Sequence, residues 1–283
     1  MKNIKMFCLS LYPNQLDLIK KLNYQPVGLG NYKFSKEWYN DKSGPNISCK
    51  NKYYGEYTFH YWLWKNNIIK KINLKWIGFC AYRRFWANKN NIKSDNLDKT
   101  VNYSNYRKFI LKGSKNNWNN FEVILGEKIF LHKIKLIKIL KNGGLKSIYK
   151  NLNVFLRNKM TIKFHFDIFH GNGTLDKAIA LLESKEKKDF RDFVNNKNNF
   201  NRGNMFICKS KKLIIKFYKS LFPWLERCEE EFGFNETDYG KIRIYAFLGE
   251  RYMSYWFNKY SKVLEWPIFF FDTKKNFSKL NIK

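Results

Sequence analysis

The spacing of apolar residues changes several times along the chain, and each change predicts an element. Residues 4–10 (IKMFCLS) form a short, mostly apolar run that predicts a first strand. Residues 14–23 read as a helix. Residues 25–48, with Pro26, Gly28, Gly30, Gly44 and Pro45, read as a loop. Over 51–69 the bulky Tyr54, Tyr57, Tyr61 and Trp64 recur at helical spacing, which predicts one helix buried on most sides. Residues 74–82 predict a core strand. Residues 88–120, rich in Asn and Lys, predict a long surface loop with some helix, and 121–125 another strand. Further on, helices are expected over 174–195, 210–232 and 238–258, with short strands at 204–208 and 266–271. Strands alternating with helices predict an α/β fold with a mostly parallel or mixed central sheet flanked by helices. The expected organisation is a single domain over 1–272 with a polar tail over 273–283.

Composition sharpens this picture. The chain has 283 residues and is 44% hydrophobic and 19% aromatic, enough to bury a real core and unlike a disordered basic tail. No apolar run is long enough to span a membrane, and the apolar stretch at the start is too short for a secretory segment. The five cysteines are scattered, without a CxxC pair, and the four histidines lack tight metal-ligand spacing. The odd, scattered cysteines fit reduced thiols in a cytoplasmic protein.

The formal charge of +31 comes from 54 Lys and Arg against 23 Asp and Glu. Only nine of the basic residues are Arg, and the abundance of Lys, Asn, Ile, Phe and Tyr matches an AT-rich coding bias. The few Arg therefore carry more information than the many Lys, because the planar guanidinium suits bidentate phosphate recognition. One segment stands apart. Residues 132–163 hold nine Lys or Arg and no acid, with Ile134, Ile137 and Leu140 on a stripe beside lysines. That pattern reads either as a helix lying on an anionic membrane surface or as an ordinary surface helix.

Five local constellations could carry chemistry. In WIGFCAYRRF (76–85) an apolar strand delivers Tyr82, Arg83 and Arg84 to its carboxyl end, where α/β sheets bind ligands. In GPNISCKN (44–51), Asn46, Lys50 and Asn51 precede a helix start, a place that favours anions. Glu56, inside the aromatic helix, reads as an ion-pair partner of Arg83 or Arg84, or as a catalytic carboxylate. In FHFDIFHGNGT (164–174), a strand would put His165 and Asp167 on one face as an acid–base pair near His170. Arg202 and Asn204 sit on a turn that could meet a sugar. Glu250 and Arg251 fall within an apolar helix pattern, where charges are costly unless paired. GxxxxGK[ST] and GxGxxG are both absent.

In this order the segments resemble the family called domain of unknown function 4422, glycosyltransferase-like proteins of bacterial capsular and O-antigen polysaccharide loci. The resemblance rests on PVGLG (26–30), SGPNISCKN (43–51), YGEYTFHYWLWKN (54–66), WIGFCAYRRF (76–85), GNMFIC (203–208) and AFLGERYMSYWF (246–257). Two positions depart from the family pattern: Gly55 stands where it has Cys, and Ala81 where it has His.

The resemblance implies a GT-A-like fold and transfer of a sugar from a nucleotide-sugar donor to a glycan or lipid-linked acceptor. The basic stretch 132–163 is not well matched to the family pattern and reads as an insertion; as a membrane-docking segment it would place the cytoplasmic protein at the inner face of the plasma membrane. Enzymes of that fold usually hold the diphosphate through a divalent metal, Mn or Mg, on an Asp-x-Asp motif; none occurs here. The donor would then be held by Asn46, Lys50, Asn51, Tyr82, Arg83 and Arg84. The sugar or acceptor would be held by His165, His170, Arg202 and Asn204. Asp167, Glu56 and Glu250 are the candidate bases. The rival readings are a nucleic-acid-binding protein, though no nucleic-acid module is present and no such partner is expected, and an inactive carbohydrate-binding homologue.

Overall fold

A computed structural model describes residues 3–89, 105–133, 160–236 and 238–271. Its frame is a mixed sheet ordered β10-β6-β9-β4-β1-β2-β3, formed by β1 (Ile4–Ser10), β2 (Gln25–Gly28), β3 (Tyr39–Asn40), β4 (Trp76–Ala81), β6 (Val123–Gly126), β9 (Phe206–Cys208) and β10 (Val263–Trp266). β1 runs parallel to β2 and β4, and β10 parallel to β6, while β9 is antiparallel between β4 and β6. A short hairpin extends from β4, where β5 (Arg84–Trp86) turns back on Ala81 and pairs with β11 (Ile268–Phe270). Separately, β7 (Lys128–Phe130) pairs with β8 (Asn199–Asn201).

The apolar runs of β1 and β4 make sense in the centre of this sheet, where both faces are covered. Alternate residues enter two cores. Phe7, Leu9, Ile77 and Phe79 face one, packed by the helices Tyr57–Lys65, Lys211–Phe232 and Ile244–Tyr260. Met6, Cys8, Trp76 and Cys80 face the other, with Trp86, Trp118 and Trp266. The five cysteines are free thiols, all buried except Cys49.

Several sequence expectations change. The stretch 25–48 is not only loop, for it supplies β2 and β3. Pro26 lies outside the Val27–Gly28 span that pairs with β3, so its missing N–H interrupts no ladder on that side. The expected helix over 51–69 is three pieces, Asn51–Tyr54, Tyr57–Lys65 and Ile68–Lys71, separated at Gly55 and Asn67, both with positive φ. Residues 105–120 are not merely surface, because Ile110, Leu111 and Trp118 are fully buried.

The segment around His165 is a helix (Ile162–His170), not a strand. Thr161 caps it by accepting from the Phe164 N–H at 3.2 Å. Of the basic stretch 132–163, residues 134–159 lie outside the described residues, as does the tail from 272. Among the described residues no helix is long and apolar enough to cross a membrane.

Candidate functional site

The carboxyl ends of β1 and β4 open into a cleft of about 250 Å³. Leu9 and Ala81 form its floor, the Tyr82–Arg83 turn and Arg84 one side, and Glu56, Arg243 and Glu250 the other. The Gly203–Met205 turn between β8 and β9 closes it, with Tyr239 and Phe270 at the rim. The fold places it by local means. β4 ends at Ala81, and the reversal into β5 holds Tyr82, Arg83 and Arg84 at the sheet's end. Gly203 has φ +81, a conformation glycine adopts readily, and this turn aims its N–H at the Glu250 carboxylate.

Charge in the cleft is paired unevenly. Glu56 accepts from Arg243 at 3.2 Å and from Asn204 Nδ2 at 3.4 Å, both on Oε2. Burial works against the Arg243 charge, but Glu56, Tyr239 and Tyr82 together outweigh it and raise the guanidinium above its ordinary value. Glu250 accepts from the Gly203 N–H on one oxygen and from Arg251 on the other.

Arg251 itself is buried at 2% exposure, with its guanidinium 4.3 Å from the Phe200 ring centre. It also reaches His165 Nδ1 at 3.3 Å and His170 Nε2 at 3.5 Å. Burial, then the Arg251 charge, pushes both imidazoles down, His170 to about 3 and His165 well below its ordinary value. A neutral His170 can donate from Nδ1 to the Gly240 carbonyl at 3.0 Å and leave Nε2 to accept from Arg251.

Arg83 and Arg84 differ. Among the described residues neither has a carboxylate within ion-pair distance. Arg83 donates to Tyr12 at 3.3 Å, and its guanidinium lies 4.9 Å from the Tyr82 ring centre. Burial pushes the Tyr82 hydroxyl up to about 12, so it keeps its proton and can donate. Asn204 Oδ1, Arg83 Nε and Arg243 Nε are buried without a hydrogen-bond partner among the described residues, a state that a polar ligand would relieve.

The sequence candidates therefore divide. Tyr82, Arg83, Arg84, Asn204, Glu56 and Glu250 meet in the cleft. Glu56 pairs with Arg243, not with Arg83 or Arg84. Asp167 is not among the lining residues; it is held by Lys163 at 2.6 Å and by the Gly173 N–H at 3.2 Å. On a helix His165 and Asp167, two residues apart, point in different directions, so the expected shared face does not exist.

Asn46 closes its own turn by accepting from the Ser48 N–H and hydroxyl, Lys50 pairs with Glu229, and Asn51 donates to Gly55 and Thr58. None of the three lines the cleft, and the helix that Asn51 opens is only four residues long. His165 and His170 contact Arg251 and do not line the cleft. Arg202 lies in the β8–β9 turn without being a lining residue.

Sequence reading missed Arg243 and Tyr239. The one available signal was that Arg243 is among only nine arginines and stands just before the AFLGERY segment.

A divalent cation finds a poor donor set here. Each cleft carboxylate already carries an arginine. Among the described residues no three His, Cys, Asp or Glu side chains gather as a metal site.

The molecule is a mixed α/β sheet with an arginine-lined cleft at the carboxyl ends of its strands, the place where open α/β sheets take their ligands. The chain belongs to the family described as domain of unknown function DUF4422, matched over residues 9–262. The fold is similar to that of a solved structure described as a WbbM bifunctional glycosyltransferase in its apo form. The TM-score is 0.66 at 18% identity, over 96% of this chain. The chain spans less than half, 46%, of that protein's length. No curated protein matches the sequence.

Proposed function

We propose that the chain is a glycosyltransferase with a GT-A-like site. It would move a hexose-type sugar from a nucleotide-sugar donor to a glycan or lipid-linked glycan in bacterial surface polysaccharide synthesis. One observation carries this reading. Arg243 compensates Glu56 and Arg251 compensates Glu250, while Arg83 and Arg84 face the cleft without a carboxylate among the described residues. Two guanidinium groups without a carboxylate partner suit a diphosphate, which they can hold in paired, charge-assisted hydrogen bonds. The resemblance in fold to a protein described as a bifunctional glycosyltransferase supports the same class.

In this mechanism the acceptor hydroxyl oxygen attacks the anomeric carbon. The bond from that carbon to the donor's phosphate oxygen breaks, and its electron pair leaves with the nucleoside diphosphate. Arg83 and Arg84 stabilise the developing charge as fixed cations, the role a metal fills in related chemistry. Glu56 takes the acceptor proton. Its Oε2 is occupied by Arg243 and Asn204, whereas its Oε1 has no hydrogen bond among the described residues. Both Glu250 oxygens are engaged, which casts Glu250 as a scaffold for the Gly203 turn. A base so placed belongs to an inverting transfer.

The acid-free stretch 132–163 would dock the protein on the anionic inner face of the membrane that carries a lipid-linked acceptor. Failure to bind anionic liposomes at physiological salt would sink that part. The activity itself is tested with a panel of nucleotide sugars, following release of the nucleoside diphosphate. Turnover of one donor is expected. Sugar binding without turnover of any donor would instead point to an inactive carbohydrate-binding protein.

A further inference from the structure

A second cavity lies elsewhere among the described residues, at about 420 Å³, within the size range of small-ligand sites. It is bordered by the end of the Lys211–Phe232 helix, the Gly171–Thr174 turn and the segment leading into the Ile244–Tyr260 helix. One part of its wall is aromatic: Tyr53 packs on Phe234 with ring centres 4.4 Å apart, and Phe232 lies beside them. Beside Ile242 and Ile244, the rest is mostly polar and carries both signs, with Asn172, Lys177, Glu231, Glu236 and Lys241.

This lining discriminates among ligand classes. A phosphate or nucleotide would call for a field of one sign, and Glu231 opposes that. A purely apolar ligand would leave the polar groups unpaired. A neutral polyhydroxylated ring uses the aromatic face for its C–H surface and both donors and acceptors for its hydroxyls.

The cavity also shares a wall with the arginine cleft. Tyr239 and Arg243 face the cleft, while Lys241, Ile242 and Ile244 of the same segment face the cavity. His170 of the cavity stacks on Phe247 of the cleft with ring centres 4.0 Å apart. His170 Nε2 also faces Arg251, the partner of Glu250.

We infer that this cavity is a second sugar-binding site, which takes a neutral pyranose unit of a glycan, one wall away from the reaction cleft. That it binds a sugar stands on the cavity alone. Only the statement that this sugar belongs to the acceptor rests on the transferase reading.

The test is saturation-transfer NMR with methyl glycosides of glucose, galactose, mannose, rhamnose and N-acetylglucosamine on the full chain. At least one should receive saturation from the protein. That signal should fall several-fold in Tyr53→Ala and in the exposed-site variants Asn172→Ala and Lys177→Ala, which leave the core untouched, and persist in Arg84→Ala. Saturation of no glycoside, or a signal lost in Arg84→Ala but kept in the cavity variants, overturns the assignment. UDP and GDP titrations of the same proteins report separately on the cleft, so failure of the transferase reading would appear there and not in the glycoside signal.

Discussion

The Arg243 guanidinium occupies the space of the side chain that Gly55 lacks, for a Cβ on Gly55 would collide with Arg243 Nη2. Gly55 also has φ +56 with ψ −131, a backbone region nearly confined to glycine. The same residue that breaks the aromatic helix therefore admits the cation that holds Glu56. Gly55→Ala is expected to cost about 1–3 kcal/mol from backbone strain alone. It should also push Arg243 off Glu56. Urea midpoints measure the first effect, and a crystal structure of the variant the second.

Arg251 makes a different kind of pair. It is buried, touches two neutral histidines and pairs with the largely buried Glu250, so Arg251→Met leaves the Glu250 carboxylate without its cation. Breaking a buried pair in this way costs about 3–5 kcal/mol. The double variant Glu250→Gln with Arg251→Met should recover part of that loss. Equal stability of Arg251→Met and the unaltered protein in urea would show that the pair is not structural.

Acid should destabilise the fold through its buried histidines. Burial holds His60 and His170 down to about 3, whereas an unfolded histidine takes its proton near pH 6.5. Between those values the unfolded chain binds more protons. Stability is therefore complete above about 6.5 and falls as pH drops toward 3, by up to about 1.4 kcal/mol per unit for each histidine. His170→Gln should flatten the slope of urea midpoint against pH between 6.5 and 4.5. An unchanged slope would contradict a neutral His170.

Transfer should survive chelation. Three of the four cleft carboxylate oxygens are committed to Arg243, Asn204, Gly203 and Arg251, which leaves only Glu56 Oε1 among the described residues. Activity in EDTA is expected to match activity with added manganese. Complete loss in EDTA with recovery on manganese would replace the arginine mechanism with a metal-based one.

Much of this was legible in the sequence, for reasons that differ by element. The apolar runs of β1 and β4 announce central strands, and WIGFCAYRRF places two arginines at a sheet's carboxyl end without any knowledge of the fold. Helix breaks were harder. Tyr54, Tyr57, Tyr61 and Trp64 keep helical spacing across Gly55, so periodicity alone hides the kink. The segment FHFDIFH alternates like a strand, yet the Thr161 cap and the burial of Phe166 and His170 one turn apart make it a helix. The ion pairs were least legible. Glu56 and Arg243 are 187 residues apart, and only the folded chain brings them together.

The central claim is that Arg83 and Arg84 hold the donor's diphosphate. Calorimetric titration of UDP and GDP into the unaltered chain, Arg83→Ala and Arg84→Ala tests it most directly, with circular dichroism to check the fold. The account predicts that one of the nucleotides binds, that binding weakens with salt, and that each variant loses it while remaining folded. Unchanged affinity in both folded variants would contradict it.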